Sequence, residues 1–93
     1  MREKTIEQKL VKAVKAVGGI ALKLTCPGWG GVPDRLILLP GKHLAFVEVK
    51  APGEIMRPLQ VKRKRQLEGL GFSVYCIDNA DQIGGVLDEI RSS

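Results

Sequence analysis

Gly31 to Lys50 reads GVPDRLILLPGKHLAFVEVK, and the fold follows from how this stretch pairs with itself. Arg35 to Leu39 is almost wholly apolar, and His43 to Val49 is rich in Val, Phe, Leu and Ala, with Pro40-Gly41-Lys42 between them. Two such runs around a short Pro/Gly segment predict a β-hairpin. Successive strand side chains point to opposite faces, so Glu48 and Lys50 share one. If the loop leaves Leu39 opposite His43, counting back along both strands sets Asp34 opposite Glu48. Directly opposed residues have Cβ atoms roughly 4.5–5.5 Å apart. Two carboxylates that close repel each other unless a cation lies between them.

A divalent metal is the simplest such cation. Carboxylate oxygens suit Mg²⁺ or Mn²⁺, and Mg²⁺ usually takes only one or two protein carboxylates and keeps several waters. Asp34 and Glu48 are therefore candidate metal ligands, with the Val49 carbonyl as a third. Lys50, beside them, can hold a water or the phosphate that the water attacks. Without a metal the same residues read as Asp34 capping a turn and Glu48 paired with Lys50 on a solvated face, the commoner meaning of an arbitrary Glu-x-Lys. Both strands read as buried rather than alternating, however, which speaks against a solvated face.

Outward from the hairpin, apolar residues at Ile6, Leu10, Ala13, Val14 and Val17 predict an amphipathic helix over about Arg2 to Val17, ended by Gly18-Gly19. Glu7, at the edge of its buried stripe, can face the hairpin as a further ligand; it reads equally as an exposed acid near a helix N-terminus. Glu3 is the competing acid. Ile20 to Leu24 predicts a short strand containing Lys23, and Thr25 to Gly31 (TCPGWGG) a loop. Trp29 in that loop can stack on a base, fill a partner interface or fold back over the core.

Ala51 to Arg57 reads as a loop whose Arg57 can touch phosphate, and Pro58 suits the first turn of a helix running to Leu70. Gln60 in that turn can reach back towards Lys50. Lys62-Arg63-Lys64-Arg65 is the densest positive run: a phosphate-tracking rim, a nuclear address or a solvated helix face. Phe72 to Ile77 predicts a strand, after which Asp78 or Asn79 can cap a last helix over about Ala80 to Arg91, weakened by Gly84-Gly85. The order is αβββαβα, an α/β fold with a mixed sheet flanked by helices.

Pro33-Asp34 followed by Glu48-Val49-Lys50 resembles the PD-(D/E)xK nuclease signature. The wider string of Gly18-Gly19, Lys23, Gly31-Val32-Pro33-Asp34-Arg35, Glu48 to Gly53 and Pro58-Leu59-Gln60 is similar to the virus-type replication-repair nuclease (VRR-Nuc) domain, and the resemblance runs from about Glu3 to about Asn79. It implies a restriction-endonuclease-like αβββαβ core with an added C-terminal helix, and Mg²⁺- or Mn²⁺-dependent hydrolysis of DNA. Under it Glu7 stands for the family's first-helix acid, and Gln60 for a glutamine that positions the lysine or the water. Lys23, Arg35, Arg57, Lys62 and Arg63 become candidate DNA contacts. It further implies a homodimer acting on branched DNA such as four-way junctions, and a phage-encoded protein in a bacterial host.

Composition is compatible with this. The chain has 93 residues, with 15 Lys+Arg against 10 Asp+Glu for a net charge of +5, and its pI is about 9.5. Residues 1–93 are expected to form a single domain with an anionic partner. Cys26 and Cys76 lack the spacing of a zinc site or a disulfide framework. Neither a leader nor an apolar run near the roughly 18 residues of a membrane span is present, so a soluble, cytoplasmic protein is expected, with no membrane partner and no small-molecule cofactor. The lone His43 argues against histidine-metal nuclease chemistry, and no Ser or Cys has a recognisable base. The alternative to an enzyme is a non-catalytic nucleic-acid-binding module of the same fold.

Overall fold

A computed structural model describes residues 1–93. Helix α1 spans Glu3–Ala16; strands β1, β2 and β3 span Ile20–Lys23, Arg35–Leu39 and His43–Val49; helix α2 spans Pro58–Gly69 and strand β4 Ser73–Ile77. A 3₁₀ turn, Ala80–Gln82, leads into α3, Ile83–Ser92. The sheet order is β1-β2-β3-β4, antiparallel through β3 and parallel between β3 and β4, with α2 as the crossover.

One face of the sheet carries the core. Ile37, Leu39, Ala45, Val47, Val49 and Ile77 alternate inward and pack against Ile6, Leu10 and Val14 of α1 and against Ile83, Val86, Leu87 and Ile90 of α3. The i, i+4, i+8 spacing of the α1 trio is what gives that helix its buried stripe. At the end of α1 a Cβ on Gly19 would lie 2.6 Å from the Leu38 carbonyl oxygen and 2.7 Å from Leu39 Cδ2, so the chain turns back onto β2 only through glycine. Asn79 caps the final helical segment, its Oδ1 accepting the Asp81 N–H at 2.8 Å. Gly84 and Gly85 lie within α3 and do not interrupt it. No helix is long and apolar enough to cross a membrane.

The opposite face departs from expectation: β2 and β3 are not buried on both sides. In register across the strands, Ile20, Leu38 and Leu44 form one apolar row and Leu22, Leu36, Phe46 and Val74 the next. Ile20 is 58% and Leu22 44% exposed, and Leu36, Leu38, Leu44 and Phe46 are half-buried. Phe72 closes edge-to-face on Phe46, with ring centroids 6.0 Å apart. The reason is the place of α2, which packs beside β4 rather than across the sheet and buries only Leu67. Apolar strand sequences report what could be covered, while a single crossover helix covers only its own corner.

Candidate active site

Leu39 pairs with His43 and Arg35 with Val47, so one further step of the ladder opposes Asp34 to Glu48, the register expected from the turn. The turn itself places Gly41 at φ 86° and Lys42 at φ 66°, the left-handed conformation that tight hairpin connections require. Asp34 Oδ2 accepts the Val49 N–H at 2.9 Å, which holds that carboxylate against the end of β3.

Glu48 and Lys50 project from β3 on the side of α2, and both are buried, at 2% and 6% exposure. Lys50 Nζ lies 3.1 Å from Glu48 Oε2, and Gln60 Nε2 donates to the same oxygen at 2.8 Å. Gln60 thus reaches Glu48, where the sequence pointed it towards Lys50. Its amide orientation is fixed from the other end, because Oε1 accepts the Arg57 N–H at 2.8 Å, half of a capping box at the start of α2.

Glu48 Oε1 has no hydrogen-bond partner and no solvent. Burial pushes the Glu48 carboxyl up from its ordinary value of 4.5, the Asp34 charge pushes it further, and Lys50 together with the Asp34 main chain opposes both. A buried carboxylate oxygen without a partner is costly, and Lys50 and Gln60 both reach Glu48 through Oε2 rather than Oε1. That deficit is what a cation would remove. Nowhere does the chain gather three or more His, Cys, Asp or Glu residues into a ligand cluster, so a cation here would have two carboxylates and would rely on main-chain and solvent oxygens for the rest. Such a set fits Mg²⁺ or Mn²⁺, which keep much of their hydration. The Val49 carbonyl belongs to the same strand end.

Glu7 is placed differently. Its Oε2 accepts from Lys23 Nζ at 2.8 Å and from Arg35 Nε at 2.7 Å, and Arg35 also donates to the Ala21 carbonyl at 3.2 Å. Burial alone would raise this carboxyl, but Lys23 and Arg35 together outweigh it and hold the group below 4.5. These side chains belong to the α1 side of the sheet, opposite Glu48 and Lys50. They meet Asp34 at the strand end, where Glu3, Lys4, Glu7, Gln8, Lys23, Asp34 and Arg35 line an open cavity of about 520 Å³ without a hydrophobic member. Glu3, the competing acid, borders this cavity too and makes no ion pair.

On the α2 side, Lys62 and Arg65 are exposed, Arg57 is exposed at the helix start, and Lys64 is paired with Glu68 at 2.8 Å. Arg63 is tied up: its Nε donates to the Gly30 carbonyl at 2.8 Å and its guanidinium lies 4.4 Å from the centre of the Trp29 ring. Asp78, which the sequence offered together with Asn79 as a helix cap, has another place. It accepts the Gly53 N–H at 3.2 Å and so ties down the loop after Lys50, while capping falls to Asn79. Only the spacing of two loops could have revealed that contact. Both cysteines are free and exposed.

An antiparallel hairpin with an acid at each strand end, a lysine two residues on and a crossover helix supplying glutamine is the arrangement of the PD-(D/E)xK nucleases. Comparison with known proteins agrees. The chain is 47% identical over 81 residues, 87% of each chain, to "Putative nuclease p44" of Acyrthosiphon pisum secondary endosymbiont phage 1. It superposes on a solved VRR_NUC domain with a TM-score of 0.87 at 26% identity, covering 92% of this chain and 94% of the other, and the α/β fold is therefore restriction-endonuclease-like. No family model matches the sequence. On the relative and the structure together, the chain belongs to the VRR-Nuc family of nucleases.

Proposed function

We propose that this protein is a divalent-metal-dependent, structure-selective endonuclease that hydrolyses phosphodiester bonds in branched DNA, such as four-way junctions, as a homodimer. The observation that carries the reading is Glu48: a buried carboxylate with an unpartnered oxygen, opposed to Asp34 and flanked by a buried lysine.

Asp34, Glu48 and the Val49 carbonyl would hold Mg²⁺ or Mn²⁺. A divalent ion held there would supply Lewis-acid charge at the phosphate and lower the pKa of a bound water. Asp34 is kept in position by the Val49 N–H and Glu48 by Gln60. Lys50, held 3.1 Å from Glu48, orients the water or a phosphate oxygen and offsets the negative charge that grows as the new P–O bond forms and the opposite one breaks. Glu7 holds Lys23 and Arg35 towards the cavity beside Asp34, where they can receive phosphate; its carboxylate is already served by two cations and gains little from a third. Lys62 and Arg57 extend the positive rim on the α2 side. None of these groups reads base edges, so recognition rests on backbone and shape, with strong salt dependence.

The dimer reading rests on resemblance and small size, and the uncovered sheet face supports it. Contiguous apolar patches of that kind are uncommon on monomers, and a two-fold interface repeats one patch on both copies. Light scattering should give about twice 10.2 kDa for the native chain and about 10.2 kDa for Leu22→Lys.

The direct test incubates linear, flapped and four-way DNA with the protein in Mg²⁺, Mn²⁺ or EDTA, with Asp34→Asn as control. Metal-dependent cutting of branched DNA by the native chain alone is expected. Binding that survives both EDTA and Lys50→Ala, with no cutting in any condition, would assign the fold to a non-catalytic binding module.

A further inference from the structure

Phosphate contacts account for the cations around the site. They do not account for the aromatic side chain at its rim. Trp29 stands in the loop that delivers Asp34, 37% exposed, with the Arg63 guanidinium 4.4 Å from its ring centre. Several contacts fasten the loop and the guanidinium around the ring. Arg63 is clamped by the Gly30 carbonyl at 2.8 Å and by Gln66 Oε1 at 2.9 Å. The Trp29 N–H closes a turn onto the Cys26 carbonyl at 3.1 Å. Gly31, at φ 82°, presses so closely on α2 that a Cβ there would meet Leu59 Cγ at 2.7 Å. Leu59, itself partly exposed, is the neighbour of Gln60. The loop that leads into Asp34 is thus fastened to the first turns of the helix that orients Glu48, and it carries a partly exposed aromatic ring.

We propose that Trp29 is a stacking platform for one unstacked nucleobase next to the scissile phosphate, and thereby a determinant of preference for branched over continuous DNA. A phosphate backbone gains nothing from an indole face, whereas every base has a π-face that stacks on one. Inside a continuous duplex those faces are covered by neighbouring pairs, so only a branch, flap, end or single strand offers one to the ring. Arg63, from α2, lies over the ring as a cationic backing. The proposal rests on the nuclease reading and adds to it the feature that selects the substrate.

Trp29 is the chain's sole tryptophan, so its fluorescence reports the site directly. The Asp34→Asn protein, in Mg²⁺, is titrated with a four-way junction and with a linear duplex of several hundred base pairs, whose ends are a negligible share of its sites. The junction should quench the emission by about half or more and the duplex should leave it nearly unchanged. On the same Asp34→Asn background, Trp29→Leu should weaken junction binding roughly five- to 100-fold, the range found when one base–aromatic stack is removed, and Trp29→Phe should retain most of it. Affinity for the long duplex should stay within about twofold in both. Junction binding without a change in emission, or equal loss on junction and duplex, overturns the platform and leaves the nuclease reading standing. Failure of the folded protein to bind any DNA overturns both.

Discussion

Two glutamates flank the same strand end and are treated in opposite ways. Glu7, on the α1 side, has two cations on one oxygen and a carboxyl held below its ordinary value. Glu48, on the α2 side, is almost wholly buried, has one lysine on one oxygen, keeps the other oxygen without a partner and is pushed above its ordinary value. The first is electrostatically complete within the chain. The second is not, and a buried polar atom left without a partner in a well-packed protein, on a carboxyl with a raised pKa, is a candidate for function. Under the proposed function, the contrast separates a carboxylate that organises its neighbours from one that would take a metal ion.

The largest expected effect tests that separation in turnover. Asp34→Asn, which keeps the acceptor for the Val49 N–H but removes the charge, should lower single-turnover cleavage by about 10³-fold or more, since it removes electrostatic and positioning contributions together. Glu7→Gln should cost at most about tenfold and act mainly through KM, because it loosens Lys23 and Arg35 without emptying the site. Equal losses in the two variants would break the comparison.

A smaller effect sharpens the Glu48 side. Gln60→Ala removes the only side chain that holds Glu48 from α2 and, with it, the acceptor for the Arg57 N–H. Turnover should fall by roughly tenfold and thermal unfolding should reveal a loss of about 1 kcal/mol, the ordinary scale for a hydrogen bond or a helix cap.

The smallest effect is in the pH dependence of the chelated protein. Folded Glu48 keeps its proton over a range above 4.5 in which the unfolded chain has released it, so its contribution to stability declines as pH rises from 4.5 through the folded pKa. Glu7 works the other way: its contribution is present above 4.5 and is lost as pH falls through its lowered folded pKa. Melting curves in EDTA should show Asp34→Asn losing less stability than the native chain as pH rises above 4.5, and Glu7→Gln losing less as pH falls below it.

Much of this was legible because hairpin register is a local property. Pro40-Gly41-Lys42 fixed Leu39 opposite His43, and simple counting then brought Asp34 to Glu48 across the strands. The αβββαβα order followed from periodicity, from Gly18-Gly19 as a helix stop and from Pro58 as a helix start. Tertiary placement was less legible. Nothing in the apolar runs of β2 and β3 says that α2 lies beside β4 and leaves Leu22 and Ile20 exposed, because strand composition does not name its cover. Nor does helical spacing alone say that Glu7 meets Lys23 and Arg35, which depends on how far α1 slides along the sheet. Arg63 reads as one more cation in a basic run, and its packing on Trp29 depends on the course of a glycine-rich loop.

The central claim is that Asp34 and Glu48 converge on one divalent ion, and Mn²⁺ titration by calorimetry measures it without substrate. The native chain and Glu7→Gln should bind Mn²⁺ with affinities within a fewfold of each other, whereas Asp34→Asn and Glu48→Gln, each confirmed as folded, should lose at least tenfold. Unchanged affinity in the last two, or no binding by the native chain, would contradict the account.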